Sequence, residues 1–271
     1  MIGLSPQSKN SERLIPCIGP ALAPGESVPY FTISSIVMKK CSHRKYAIIK
    51  WRRCARTIPK DIEMKKRGRT YMEKSAVIKV VVALEWEMFQ QVKGLNGRAA
   101  CQDNLETFII MRSSQFDSWE ENVVESYLAD LIEAKKSERN LVMEKYAYMM
   151  EQTDPAYYAN IAHLLPKITD KAQIMIDKIL VHYEAWVIEF AAVYPNIRKN
   201  GRSMDGANLG GRASLLNYLK CELKTYSERT LAYLVESIMK EKELNRYWVS
   251  MEKMAQAYGY ESLEEAEEAL K

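Results

Sequence analysis

The feature that most constrains the fold of this chain is the helical patterning of its last 200 residues, which begins directly after residue 71. From there on, apolar residues recur every three or four positions, and only Pro155, Pro166 and Pro195 interrupt the pattern. No segment alternates between apolar and polar residues for long enough to indicate a β-strand. The pattern therefore predicts an all-α, multi-helix bundle that forms a single domain over residues 72–271.

The first predicted helix covers residues 73–93 and is apolar nearly all round between Ala76 and Leu84. A helix without a polar face is typical of the centre of a bundle. Gly94 and Gly97 mark its end and a turn.

Capping residues predict where the later helices begin. They are Asp103 (with Glu106), Ser118 (with Glu121), Asp154 (before Pro155), Thr169 or Asp170, Ser214, Ser227 and Ser262 (with Glu265). The helix that starts at Ser227 is expected to run to Tyr258, and residues 196–212 are expected to be irregular.

The first 71 residues differ from the rest in charge and in proline content. They carry 15 Lys and Arg against 4 Asp and Glu, whereas the remaining residues carry 24 against 31. Six of the nine prolines also lie there. We expect this basic, proline-containing extension to be poorly structured.

Two hypotheses account for the extension. Residues 38–56 are basic with Tyr46 and Trp51 interleaved, which is typical of an arm that binds nucleic acid. Alternatively, the reading frame is over-extended and Met72 is the true start, because Arg67–Arg69 can be encoded by a purine-rich sequence resembling a bacterial ribosome-binding site. Nucleic-acid binding is not expected if Met72 is the start, since the remaining domain is acidic.

Cysteine and histidine usage argues against several kinds of site. The five cysteines form no CxxC pair, which supports neither a disulfide framework nor a zinc site and favours a cytoplasmic location. With three histidines and no Glu-x-x-His motif, no metal site is expected. No apolar run reaches the 18 residues of a membrane span.

Arg112 is the most informative single residue. Leu105, Phe108, Ile109 and Phe116 form an apolar stripe on the predicted second helix, and Arg112 lies within it. A buried guanidinium needs a carboxylate or an anionic ligand beside it, and Glu85 on the first helix is the natural candidate. Either the two form a buried pair that fixes helix register, or Arg112 holds an anion while Glu85 acts as a base or orienting group.

The turn between the first two helices supplies further candidates. Arg98 and Gln102 lie beside a helix N-terminus, which favours anions. Asp103 is expected to cap that helix, and Cys101 is either a nucleophile or a small packing residue. Arg202, in the glycine-rich stretch, is either a solvated loop residue or part of a lid over the same region.

At these residues the chain resembles bacterial proteins grouped as domain of unknown function 4125. The resemblance covers about 84–232 and rests on EWEMFQQV (85–92), GRAACQDNLETF (97–108), IMRSSQF (110–116), SYLADLIEAK (126–135) and YLKCELKTYS (218–227). Members tend to show GGRASCQDDW where this chain departs at Asn96, Ala100, Asn104 and Leu105, which puts any role of the missing Asp in doubt. The resemblance implies no activity, but it implies that recurring positions are occupied by Glu85, Arg98, Gln102, Asp103, Arg112 and Gln115.

The sequence thus leaves two main functions open. The first is a site for a small anionic or polar metabolite between the first two helices. Such a site could also be the active site of an enzyme, with Glu85, Cys101 and Asp103 as catalytic candidates. Its candidate ligand-binding residues are Arg98, Gln102, Arg112, Gln115 and Arg202. The alternative is a module that binds a protein partner without catalysis. The sequence specifies neither a cofactor nor a reaction.

Overall fold

Helices account for the regular structure in the part of the chain that the structure describes. A computed structural model describes residues 73–93, 97–204 and 213–271. The predicted N-terminal extension 1–71, the proposed start at Met72 and the Gly94 turn position lie outside the described residues. None of the helices in the described residues combines the length and apolar character needed to span a bilayer.

The described residues contain eleven α-helices and no strand, which confirms the predicted all-α bundle. The helices are α1 (Lys74–Gln91), α2 (Leu105–Asp117), α3 (Glu121–Lys136), α4 (Leu141–Thr153), α5 (Pro155–Ile161), α6 (Asp170–Val193), α7 (Pro195–Lys199), α8 (Leu215–Leu223), α9 (Glu228–Lys240), α10 (Arg246–Tyr258) and α11 (Leu263–Ala269). Short 3₁₀ turns cover Ala100–Asp103 and Ala162–Leu164.

Most predicted caps hold, because a cap depends only on residues within one turn of it. In each confirmed cap, the side-chain oxygen accepts a hydrogen bond from the backbone N–H three residues later. The confirmed caps are Asp154, Thr169, Ser214, Ser227 and Ser262. Gly259 ends α10 in the left-handed conformation, with φ of 94°, which glycine adopts without strain.

Two predicted caps are wrong. Asn104, not Asp103, caps α2 by accepting from the backbone N–H of Thr107, because the Asp103 carboxylate accepts from Arg98 instead. Ser118 ends α2 rather than starting α3, since its hydroxyl donates to the carbonyl of Gln115.

Two predicted boundaries also change. The expected single helix from Ser227 to Tyr258 is two helices, α9 and α10, because Asn245 caps a new start by accepting from the N–H of Trp248. The stretch that begins at Asn196 opens within a short helix, α7, with Pro195 at its first position.

The packing of α1 places its side chains in the interior, as its apolar sequence predicted. Helix α1 contacts α2, α3 and α4, and α8 packs on α4 and α6. Residues on several sides of α1 are buried, including Val77, Val81, Val82 and Met88. A polar residue on α1 between these positions therefore lies inside the bundle and needs a partner there. Glu85 is that residue, at 2% exposure.

Candidate functional site

The predicted contact between Glu85 on α1 and Arg112 on α2 is present. The two helices lie side by side, and the Arg112 guanidinium donates from Nε to Glu85 Oε2 at 2.7 Å and from Nη2 to Oε1 at 2.6 Å. This is a two-pronged pair, the geometry in which a planar guanidinium matches a carboxylate best. Both side chains are buried, so the pair lies in the core.

A second carboxylate, Glu222 on α8, contacts the other edge of the same guanidinium. Nη1 of Arg112 lies 3.1 Å from both Glu222 carboxylate oxygens, and Nη2 lies 3.1 Å from Oε1. Gln115 links the two residues, because its amide oxygen accepts from Arg112 Nη1 at 2.7 Å and its nitrogen donates to Glu222 at 2.8 Å. Arg112 therefore joins α1, α2 and α8.

Two phenols and one ammonium complete this group. Tyr127 on α3 donates to Glu85 at 2.7 Å, and Tyr226 donates to Glu222 at 2.8 Å. Lys145 on α4 donates to Glu222 Oε2 at 3.2 Å. We call the whole group the ionic cluster; it consists of Glu85, Arg112, Gln115, Tyr127, Lys145, Glu222 and Tyr226.

The charges of the ionic cluster cancel, since two carboxylates face one guanidinium and one ammonium. Burial by itself raises the pKa of Glu222, but Arg112 and Lys145 outweigh that effect and hold its pKa well below the usual range. Burial likewise opposes the charged form of Arg112, and Glu222 and Glu85 outweigh it and raise the pKa further. Glu222 and Arg112 thus both stay charged in the interior.

The two phenols of the ionic cluster, in contrast to its charged groups, stay neutral. Burial, and then the neighbouring Glu85, raise the pKa of Tyr127 well above its usual value. Burial and Glu222 do the same for Tyr226. Both phenols therefore remain protonated and act as hydrogen-bond donors to the carboxylates.

The five N–H donors of Arg112 are all used within the cluster. A guanidinium has one donor at Nε and two at each terminal nitrogen. The Nε donor goes to Glu85, those of Nη2 to Glu85 and Glu222, and those of Nη1 to Gln115 and Glu222. Arg112 has no N–H left for a further anion, so its place in the fold is that of a bridge between carboxylates.

The cluster reaches outward through Lys145. The Lys145 ammonium donates to the phenol oxygen of Tyr218 at 2.8 Å and lies 4.4 Å from the centre of that ring. The guanidinium carbon of Arg202 lies 4.6 Å from the same ring centre, and Arg202 also donates to the carbonyl of Ala213 at 3.3 Å. Two cations thus meet at Tyr218, which is only partly buried. We call Lys145, Arg202 and Tyr218 the cationic end.

Arg98 and Gln102 belong to a different polar group at the C-terminal end of α1. The buried Gln102 amide donates to the carbonyls of Phe89 and Val92, at 2.7 and 2.8 Å. Arg98 donates to the Gln102 carbonyl at 2.6 Å and to Asp103 at 2.8 Å. These bonds fasten the 3₁₀ turn to the backbone at the C-terminal end of α1.

The sequence candidates therefore divide into three sets. Glu85, Arg112 and Gln115 come together in the ionic cluster, and Arg202 lies at its outer end. Arg98, Gln102 and Asp103 fasten the turn after α1, and Cys101 is half-buried in that turn against the core. Glu85 as a base and Cys101 or Asp103 as catalytic groups remain predictions.

Sequence reasoning missed Glu222, Tyr226, Tyr127 and Lys145. Glu222 carried a signal, because Leu219, Leu223 and Tyr226 flank it at helical spacing in an apolar face, as the neighbours of Arg112 do. Two of the sequence blocks that carry the family resemblance also contain these residues. Block 126–135 contains Tyr127, and block 218–227 contains Glu222 and Tyr226. Lys145 lies among Tyr and Met residues without a comparable signal.

Comparison with known proteins assigns a family but no activity. Neither the search of curated proteins nor the search of solved structures found a significant match. A family model with the description "Protein of unknown function (DUF4125)" matches residues 75–268, which is well over half of the chain and includes every residue of the ionic cluster. The chain therefore belongs to this family of proteins of unknown function.

Proposed function

We propose that this domain binds a small anionic ligand, one that carries a carboxylate or phosphate group, at the cationic end. The observation that carries the proposal is the convergence of the Lys145 ammonium and the Arg202 guanidinium on one partly buried ring, Tyr218. The ionic cluster behind them acts as a rigid support that holds Lys145 in place.

Unused hydrogen-bond donors support this location. Lys145 is 6% exposed and has three N–H donors, of which two go to Tyr218 and Glu222. Within the described residues, the third has no protein acceptor. The side-chain nitrogen of Asn217, next to Tyr218 in the chain, is also buried without a partner. Because unpaired buried donors are destabilising, a ligand with acceptor oxygens would stabilise the third N–H of Lys145.

Electrostatics favour an anion at this place. The Lys145 ammonium and the Arg202 guanidinium both lie against Tyr218, so two cationic groups face the place where we propose that the ligand binds. Burial lowers the pKa of Lys145, but Tyr218 and Glu222 outweigh it and raise the pKa, so the ammonium stays charged at neutral pH. An anion beside a partly desolvated ammonium gains more than it would in water.

The hydrogen bonds of the other candidate residues favour the cationic end over the space between α1 and α2 as the ligand site. Arg112, the earlier candidate, has its donors engaged by two carboxylates, and Gln115 is held between Arg112 and Glu222. Arg98 and Gln102 are engaged with the end of α1. These residues shape and support the fold, whereas Arg202 and Lys145 contact the ligand.

We also propose that this is a bacterial, cytoplasmic protein. The five cysteines without a disulfide framework and the resemblance to bacterial proteins support this proposal.

A thermal-shift measurement on the full chain tests the proposal, with inorganic phosphate, pyrophosphate and citrate as probes and sodium chloride at matched ionic strength as the reference. A ligand at a hundredfold excess over its Kd adds about 2.7 kcal/mol to the free energy of unfolding. Arg202→Gln is expected to abolish the anion-dependent rise in Tm.

Arg98→Gln is the matched control, because it removes a cation on the other polar group. It is expected to keep the rise. If none of the three probes raises Tm above the salt reference, the proposal is wrong. If Arg98→Gln abolishes the rise and Arg202→Gln keeps it, the anion binds at the turn between α1 and α2 instead.

A further inference from the structure

The outward face of α6 carries large apolar side chains that its own domain does not cover. In the described part of the chain, Ile174, Val181 and Ile188 are 57%, 68% and 60% exposed, and Val193 at the end of the same helix is 52% exposed. The opposite face of α6 is buried and includes Ile176, Ile179, Val187 and Phe190. Helix α6 is therefore apolar on two sides, and one of them meets solvent.

The spacing of these residues aligns them in one stripe. Ile174, Val181 and Ile188 are seven residues apart, and a seven-residue step turns an α-helix by nearly two whole turns. The three side chains thus lie almost in line along the helix, as in the seam of a pair of packed helices. Ala185 and Ala192 are exposed beside them, and small residues let a second backbone approach closely.

We infer that this face binds a second copy of the chain, with the two α6 helices antiparallel and Val181 on the twofold axis. The stripe is palindromic, Ile–Val–Ile with equal spacing, so an antiparallel copy would set Ile174 against Ile188 of the second copy. A twofold contact requires such self-complementarity, because the same patch forms both sides of the interface. This inference is independent of the anion site.

The exposed charges decide between antiparallel and parallel pairing. The N-terminal half of the face balances two lysines against two aspartates, whereas the C-terminal half carries two glutamates; these residues are Lys171, Lys178, Asp170, Asp177, Glu184 and Glu189. A parallel pair would place four glutamates together. An antiparallel pair instead places each pair of glutamates beside the balanced half of the other helix, with its two lysines and two aspartates, and near that helix's positive N-terminus.

Sedimentation equilibrium of the full chain tests the dimer against the monomer mass of 31.3 kDa. Val181→Asp would place two like charges against each other on the twofold axis, and we expect it to raise the Kd of the dimer by about a hundredfold or more. Met239→Asp is the matched control, because Met239 is an exposed apolar residue on α9. It is expected to leave the Kd unchanged.

Circular dichroism would verify that both variants keep the helix content of the wild type, which the exposure of both positions predicts. A chain that is monomeric at about 100 μM, or a dimer that Val181→Asp leaves intact, overturns the inference.

Cysteine crosslinking tests the orientation. Ile174→Cys and Ile188→Cys proteins are mixed and oxidised, with wild-type chain oxidised in parallel to subtract crosslinks through the native cysteines. An antiparallel pair is expected to give the mixed 174–188 disulfide, identified by peptide mass, because a disulfide needs Cα atoms within about 7 Å. A 174–174 disulfide from the Ile174→Cys protein alone would indicate a parallel pair and overturn the inference.

Discussion

Arg112 and Arg98 flank the same turn and show how burial changes what an ion pair does. Each donates to a carboxylate at a short distance, 2.6 Å from Arg112 to Glu85 and 2.8 Å from Arg98 to Asp103. The Arg112 and Glu85 side chains are 6% and 3% exposed, whereas those of Arg98 and Asp103 are 46% and 67% exposed. The two pairs therefore have similar distances between their charged atoms, but one pair is buried and the other is exposed to solvent.

The difference matters because water screens the exposed pair and not the buried one. An exposed pair contributes between zero and about 1 kcal/mol, since each ion is nearly as well solvated alone. A buried pair has lost that solvation, so removal of one member leaves a charge that nothing compensates. Of Arg98 and Arg112, both of them ligand candidates in the sequence, Arg112 is therefore the one on which the fold depends.

Replacement of Arg112 by methionine is the largest expected effect. Arg112→Met keeps an unbranched, flexible side chain but leaves Glu85 and Glu222 buried with Lys145 as the one cation of the cluster. We expect the free energy of unfolding to fall by about 3–5 kcal/mol, measured by urea denaturation.

A triple variant separates charge from packing. Arg112→Met combined with Glu85→Gln and Glu222→Gln removes the uncompensated carboxylates, so it is expected to recover much of the loss. If the triple variant is no more stable than the single one, the loss comes from packing against Phe116, whose ring centre lies 4.7 Å from the guanidinium, and not from charge.

Measuring the free energy of unfolding as a function of acid pH tests whether Glu222 is ionised in the folded protein. The pKa of Glu222 is depressed in the fold, so its stabilising contribution is complete above the unfolded pKa of about 4.3 and is lost as the pH falls through the lower folded value. Glu222→Gln has no such proton to bind. We expect it to lower the free energy of unfolding by about 2–3 kcal/mol at pH 7, and its difference from wild type to shrink below about pH 4.

Glu87→Gln is the control for this titration, because Glu87 is half exposed and pairs with Lys135 at the surface. Its difference from wild type is expected to stay small at every pH. A Glu222→Gln difference that is the same at pH 7 and at low pH would show that the carboxylate is not held ionised by its neighbours.

The Glu85–Arg112 pair was predictable from the sequence, whereas the rest of the ionic cluster was not. The turn between α1 and α2 is short, so two polar residues inside apolar faces on adjacent helices had to meet. Glu222 lies 110 residues beyond Arg112, and its placement depends on how α8 packs on α4 and α6. Nothing local specifies that packing. The pairing of one arginine with two carboxylates is thus a tertiary property.

The helix caps show the same limit on a smaller scale. Thr169 and Ser227 cap their helices as predicted, because each needs only a backbone N–H three residues away. Asp103 and Asn104 are both good capping residues, so the sequence leaves two starting points for α2. The competition is decided by Arg98, whose guanidinium holds the Asp103 carboxylate and leaves Asn104 to cap the helix.

Replacement of Arg98 by methionine is the smallest expected effect and the direct counterpart of Arg112→Met. The variant loses the exposed bonds to Asp103 and to the side-chain oxygen of Gln90. It also loses the bond to the carbonyl of Gln102, which still accepts from the side-chain nitrogen of Gln90 at 3.0 Å. We expect the free energy of unfolding to fall by about 1 kcal/mol or less. The loss should shrink further in high salt, since salt screens exposed charges far more than buried ones.

Urea denaturation of the Arg98→Met and Arg112→Met variants at low and high salt compares the two arginines directly. Because Gln102 keeps its own bonds to the end of α1, the turn is expected to stay fastened without Arg98. If Arg98→Met instead cost as much as Arg112→Met, exposure would not be what separates the two pairs. The turn after α1, and not the ionic cluster, would then be the part of this hairpin on which the bundle depends.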